Sequence, residues 1–193
     1  KLSAGIHIDN NILTDLAGKI IEENMTADAL NYISFRPRSK FEVKQHLLTK
    51  SLKNKISLKK FEISLNPESL IENIISKLTD LGYLDDRKFV HWWFSQRQDF
   101  NQKSIFLIKK ELLQKGLDER LIKEVIQDDK EDIKSDFVNA KEVLLKRIDR
   151  WSNLPEIMKK KKIWNFLSSR GFSYETIDKV MSIPSRNVRF FAK

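Results

Sequence analysis

The sequence predicts an all-α protein of three tandem three-helix repeats behind a short N-terminal extension. Three observations carry this expectation. Only five Gly and four Pro occur in 193 residues, too few for the punctuation that a strand-and-turn architecture needs. From Leu78 to Ile122 apolar residues recur at helical spacing. Phe89, Trp92, Trp93 and Phe100 share one face with Gln96 as its polar member, and Ile105, Ile108, Leu112 and Leu113 repeat the pattern. The end of that second helix also has two counterparts elsewhere in the chain.

Val43 to Leu52, Ile108 to Leu117 and Ile163 to Phe172 align without a gap. Each has a branched apolar residue at its start (Val43, Ile108, Ile163) and a leucine four residues later (Leu47, Leu112, Leu167). A basic residue then precedes the turn (Lys50, Lys115, Arg170), and an apolar residue follows it, placed to fold back on the helix. Gly116 and Gly171 occupy the turn, where a left-handed backbone spares glycine the Cβ clash; Ser51 holds the first repeat's equivalent place. Third helices follow at Leu70 to Leu81, Leu121 to Ile126 and Ile177 to Met181. Units of this kind bury apolar faces on their own partners and on their neighbours. The expected divisions are an extension at 1-25, repeats at 26-84, 85-127 and 128-183, and a basic tail at 184-193. The first repeat carries an inserted loop at 52-66.

Taken in order, Ile6 and Ile8 alternate about His7 before an Asp9-Asn10-Asn11 turn, which suits a short strand end. Leu13 to Asn24 reads as a short helix, and Thr26 as the cap of a second one bearing Ala29, Leu30, Tyr32 and Ile33. Pro37 ends it by pushing Arg36 out of helical geometry. Ser39-Lys40-Phe41-Glu42 is a capping box starting the next helix at Lys40. In the insertion, Lys53, Lys55, Lys59 and Lys60 stand against Glu62, interleaved with Ile56, Leu58, Phe61 and Ile63. It is either a basic loop or hairpin aimed at a partner or a solvated loop. Asn66-Pro67 restarts helix with proline at the first position, and Asp85 and Asp118 sit where N-caps belong. Gln127 to Trp151 reads as one long helix, acidic at its start and basic at its end (Lys146, Arg147, Arg150), as the helix dipole favours. Pro155 opens the next helix, Ser173 caps the last and Pro184 ends it.

The charge balance narrows the function classes. A formal charge of +9 and a pI near 9.6 favour polyanionic partners. No cysteine is present, which excludes disulfides and thiolate metal sites and accords with a cytoplasmic location. No signal peptide and no run near the roughly 18 apolar residues of a membrane span is legible, so no membrane partner is expected. No nucleophile, base or metal site is arranged either. His7, His46 and His91 stand apart, and Gly82, Gly116 and Gly171 follow helices, the wrong end for a phosphate. Asp85-Asp86 and Asp128-Asp129 suit caps and acidic first turns. Not an enzyme, then, and no cofactor or metal is called for. Basic residues are the informative ones. Arg36 to Lys60 holds nine Lys or Arg against one acid, and Lys141 to Lys193 thirteen against five. Lys159, Lys160, Lys161 and Lys162 span most of a helix circumference, so some must face outward. The basic residue before each repeat's turn suggests a shared electropositive surface that neutralises phosphates without reading bases.

Four motifs, in order, resemble the bacterial RecX family. They are Tyr32-Ile33-Ser34-Phe35-Arg36-Pro37-Arg38-Ser39, Leu81-Gly82-Tyr83-Leu84-Asp85-Asp86 followed by Phe89, Lys109 to Gly116, and Arg170-Gly171-Phe172-Ser173. The resemblance runs from Thr26 to Met181. It implies an elongated, curved, all-helical monomer that negatively regulates the RecA recombinase. Such a protein lies in the groove of the RecA–single-stranded DNA filament and limits filament growth, ATPase, strand exchange and SOS co-protease activity. It has no catalytic residue to carry over. The 52-66 insertion is longer than the usual turn, and Lys103-Ser104-Ile105-Phe106-Leu107 lacks the family's glycine and part of its basic content. Arg36, Arg38, Lys109, Lys110, Lys115 and Arg170 carry over as candidates for touching DNA or RecA. Charge adds Lys44, Lys53, Lys55, Lys59, Lys60, Lys146, Arg147, Arg150 and Lys159 to Lys162. Two alternatives stay open: a non-specific single- or double-stranded nucleic-acid-binding module without a RecA partner, and a helical adaptor for another protein.

Overall fold

A computed structural model describes residues 10–58, 66–129 and 133–183, and every regular element among them is helical. In chain order these are α1 (Asn10–Ser34), α2 (Lys40–Leu58), α3 (Pro67–Asp80), α4 (Asp86–Ser95), α5 (Ile105–Gln114), α6 (Glu119–Asp128), α7 (Asp136–Ile148), α8 (Glu156–Ser168) and α9 (Tyr174–Met181). A π-helical turn, Gln96–Asn101, prolongs α4, and a 3-10 turn, Asp149–Trp151, prolongs α7. The chain divides into two compact units, Lys1–Asp86 and Arg87–Lys193.

In the first unit α1, α2 and α3 each bury one stripe. Met25 and Ala29 meet Val43 and Leu47 and, from α3, Ile71, Ile74 and Leu78. Their i, i+3, i+4 spacing is the reason one face goes inward. The expected capping box forms: Ser39 Oγ accepts from the Glu42 amide at 3.1 Å while the Ser39 amide donates to the Glu42 carboxylate at 3.3 Å. Asn66 caps α3 with Pro67 at its first position.

Two expectations here need correction. Helix α1 runs unbroken from Asn10, so Asn10 and Asn11 of the expected turn are already helical, and it continues past Thr26. Thr26 donates its hydroxyl to Glu22 O at 2.7 Å, the mid-helix use of a threonine, and Ile21 packs on the same core as Met25. Tertiary burial on both sides of Thr26 keeps the backbone helical. Helix α2, in turn, continues to Leu58, so the first part of the 52-66 segment is helix and not loop. Ser51 explains it: buried and donating to Leu48 O at 2.9 Å, it does not turn the chain left-handed as Gly116 and Gly171 do. Residues 59–65, the tail 184–193 and the strand read at Ile6 to Ile8 lie outside the described residues.

The second unit repeats the first unit's plan twice. One core joins Phe89, Val90, Trp93 and Phe94 to Ile108, Leu112, Leu117, Ile122 and Val125. The other joins Ala140, Val143 and Leu144 to Ile163, Leu167, Phe172, Ile177 and Val180. Gly116 (φ 75°) and Gly171 (φ 82°) are left-handed. At each, the next amide donates back to the matching leucine: Leu117 N to Leu112 O at 3.2 Å, Phe172 N to Leu167 O at 3.3 Å. Asp118 and Ser173 cap α6 and α9 as expected.

The single long helix expected over Gln127 to Trp151 is instead two. Helix α6 stops at Asp128 and α7 starts at Asp136, because Ser135 turns its hydroxyl onto the Val138 amide and becomes an N-cap. The new start serves the packing of the two cores. Asp136 accepts from the Ile105 amide at 2.8 Å, Asn139 Nδ2 donates to Lys103 O at 2.8 Å, and the Ser104 amide donates to Arg170 O at 3.0 Å. Gln98, buried, exchanges two hydrogen bonds with the Lys134 backbone. The π-helical turn places it there. Widening the helix by one residue per turn brings Gln98 inward and carries Phe100, expected on the apolar face, out to solvent.

Candidate nucleic-acid interface

The basic residue before each turn is held by its own repeat. Lys50 pairs with Asp28 at 3.2 Å, the Lys115 ammonium lies 4.3 Å over the Trp93 ring, and the Arg170 guanidinium lies 4.1 Å over Phe166. Each therefore covers a ring or carboxylate of its own repeat. Arg170 goes furthest. Its Nε is buried without an acceptor, and burial, with Arg147 close by, pulls its pKa below the ordinary arginine value. These residues brace their own repeats.

Arg36 and Arg38 are braced as well. Arg36 forks onto Glu42, with distances of 2.8 and 3.2 Å, and completes the capping box from outside. Arg38 lies 3.8 Å over Tyr32 and donates to its carbonyl at 3.2 Å. Tyr32 in turn stacks on His46 at 4.1 Å. Burial, with Lys50 adding, lowers the His46 pKa. Lys44 is ion-paired with Glu72. Lys53 and Lys55 fall on the last turns of α2, while Lys59 and Lys60 lie outside the described residues.

Outward charge comes from the other candidates. Lys110 on α5 is exposed and Lys109 half-exposed, with the latter's charge reaching Asp136. Lys146, Arg147 and Arg150 are exposed at the end of α7, Arg147 lying 5.3 Å from the Phe166 ring. On α8, Lys160, Lys161 and Lys162 are exposed and Lys159 half-exposed, as four consecutive helical residues must be when one flanks the core. All of these belong to the second unit.

A polar network that the sequence does not announce stands behind α5. Glu111 accepts from Trp93 Nε1 at 3.0 Å, from Arg97 Nε at 2.7 Å and from Lys103 Nζ. Burial alone would raise its pKa, but hydrogen bonds from Lys103 and Arg97 outweigh that and hold the carboxyl below its ordinary value. Arg97 also stacks 4.0 Å over Trp93. Its one sequence signal is position: Glu111 aligns with His46 and Phe166, which also contact aromatic rings of their own repeats. Elsewhere in this unit a cleft of about 220 Å³ opens beside α4 and α6, where His91 Nδ1 pairs with Asp129. No group of three His, Cys, Asp or Glu that could hold a metal ion occurs among the described residues, and no described helix is long and apolar enough to cross a membrane.

Residues 135–181 match the family model of the third three-helix domain of RecX. Over 147 residues the chain is 30% identical to the regulatory protein RecX of Streptococcus mutans, covering 76% of this chain and 50% of that one. Over 154 residues it is 31% identical to the regulatory protein RecX of Bacillus subtilis, covering 79% and 52%. It thus spans about half the length of these curated relatives. The crystal structure of RecX from Lactobacillus salivarius superposes with a TM-score of 0.60 at 23% identity, covering 89% of this chain and 99% of that one. At that identity the superposition speaks for the fold.

Proposed function

The chain belongs to the RecX family, and from that premise we propose that it is a negative regulator of the RecA recombinase. It lies in the groove of the RecA filament on single-stranded DNA and limits filament growth, ATPase, strand exchange and SOS co-protease activity. It acts as a cytoplasmic monomer through binding alone, without catalysis. Its three repeats, at 26-84, 85-127 and 128-183, supply faces for protein and phosphate together. The observation that carries this reading is the match to proteins named regulatory protein RecX along three quarters of the chain. The exposed cations of α5, α7 and α8 support it, because a groove ligand meets a phosphate backbone whatever the sequence. The test is RecA's DNA-dependent ATPase and strand exchange with the protein added far below the amount that covers the DNA. Inhibition at that ratio supports filament regulation. Inhibition only when the DNA is saturated identifies a general nucleic-acid binder instead.

A further inference from the structure

Two repeats expose aromatic rings in the same pattern about the cap of their second helix. Four residues before the capping serine stand Phe35 and Phe100, and two after it stand Phe41 and Phe106. Their residues are 77%, 75%, 42% and 69% exposed, respectively. The caps themselves are rigid: Ser39 and Ser104 are fully buried, and each binds the third amide of its helix. The ring before each cap leaves the core for a different local reason. Phe35 follows the end of α1, while the π-helical turn rotates Phe100 outward. One outcome by two backbone routes argues against a packing remainder. An exposed phenylalanine forgoes a large part of the ~150–250 Å² such a ring can bury, and two successive repeats leave theirs in water.

The charge around these rings identifies what covers them. Lys110 is exposed one turn beyond Phe106 on the same face of α5, and half-exposed Lys40 opens the helix that carries Phe41. A flat aromatic face beside a solvated cation suits an unpaired nucleobase and its phosphate. An acidic protein surface would need the cation and not the ring, and duplex DNA keeps its base faces stacked. We propose that the exposed rings of Phe35, Phe41, Phe100 and Phe106 are base-stacking platforms for single-stranded nucleic acid on the first two repeats. This deepens the proposed function and rests on it for the presence of a single strand.

The full chain is titrated against fluorescent oligo(dT) and against a duplex of equal length, at several salt concentrations. Phe106→Ala and Phe41→Ala should each weaken oligo(dT) binding on the order of tenfold, as loss of a base–aromatic stack does. Duplex binding and the log–log salt slope should stay as in the parent. Phe106→Trp should restore or exceed parental affinity. Lys110→Gln should act the other way, flattening the single-strand slope by about 0.7. These rings are exposed, so the variants should melt with the parent. Equal losses on oligo(dT) and duplex, or no loss on either, overturn the platforms while leaving RecA regulation standing. Lost RecA inhibition with intact oligo(dT) binding assigns the rings to a protein interface and also overturns the proposal. A parent that binds no oligo(dT) but inhibits RecA overturns the platforms alone; one that does neither overturns both readings.

Discussion

Adding a single methyl group at Gly171 should cost more than adding it at Gly82, although the two glycines share a backbone conformation. Both are left-handed, with φ of 82° and 77°. Forcing an L-residue into that region costs about 1–2 kcal/mol. The stiffer unfolded chain returns about 0.4–1 kcal/mol of it. For Gly82→Ala nothing further enters, since an added Cβ meets no atom within 4 Å; the net loss is roughly 1 kcal/mol. At Gly171 the same Cβ would stand 2.7 Å from Ser104 Oγ and 2.8 Å from Leu107 Cβ. Neither neighbour can retreat freely. Ser104 Oγ accepts from the Leu107 amide at 3.2 Å, and the Ser104 amide donates to Arg170 O. Overpacking of this kind adds about 1–3 kcal/mol, so Gly171→Ala should lose roughly 2–4 kcal/mol in all. All four tryptophans (Trp92, Trp93, Trp151, Trp164) lie in the second unit, so urea unfolding followed by their fluorescence reads Gly171→Ala where it acts. Far-UV circular dichroism serves for Gly82→Ala. In the double variant with Ser104→Ala the losses should be less than additive, because one of the two clashing atoms is then absent. Equal losses for Gly82→Ala and Gly171→Ala would refute the close packing of the turn against α5.

Three further outcomes are expected. Reversing Lys159, Lys160, Lys161 and Lys162 to Glu should weaken single-stranded DNA binding alike for every sequence and flatten the salt slope by about 0.7 for each phosphate no longer neutralised. RecA inhibition should fall with it, and full inhibition by a folded, DNA-blind variant would make DNA binding by the α8 cluster incidental. Glu111→Gln should destabilise by about 2 kcal/mol at pH 7 by removing the charge that three donors share. Because the folded Glu111 carboxyl sits below its ordinary 4.5, its contribution is complete above that value and is lost as pH falls through the folded one. Parent and variant should therefore converge in acid, and parallel melting curves down to low pH contradict the network. His46→Phe should keep the stack on Tyr32 but lose a titration. With the His46 pKa lowered from 6.5 in the fold, the parent loses stability as pH drops below 6.5, and the variant should show a shallower decline in thermal melts there.

The three-core plan was legible because each core is specified by short-range periodicity. Val43 and Leu47, Ile108 and Leu112, and Ile163 and Leu167 sit four apart on one helix, and all six are buried. The caps at Ser39, Asn66, Asp118 and Ser173 and the left-handed Gly116 and Gly171 were legible for the same reason. A cap satisfies amides within three residues of itself and needs nothing distant. Where an element's end depends on a partner far along the chain, local reading failed. Thr26 has the chemistry of a cap, yet burial of Met25 and Ala29 keeps it in mid-helix. The break before Asp136 was within local reach, since Ser135 caps the Val138 amide, and a bond from an amide thirty-one residues earlier fixes it further.

For the candidate interface the division is sharper. Composition and sequence order by themselves determined a basic, helical, three-repeat chain, because charge and periodicity are sums over residues and need no coordinates. Which way Lys115 turns was decided only by the tertiary structure. Lys115 and Arg170 align perfectly with each other in sequence and read as surface, but folding sets an aromatic face beneath each, and a cation over a ring is held. Lys110, five residues before Lys115, has the same charge and stays in solvent. Phe100 obeyed the helical period until one π-helical turn changed the angle at which it left the backbone. The partner of Lys115 is a property of the packed fold, since Trp93 is remote in sequence and only packing brings it near, whereas Phe166 precedes Arg170 by four residues and is a local partner.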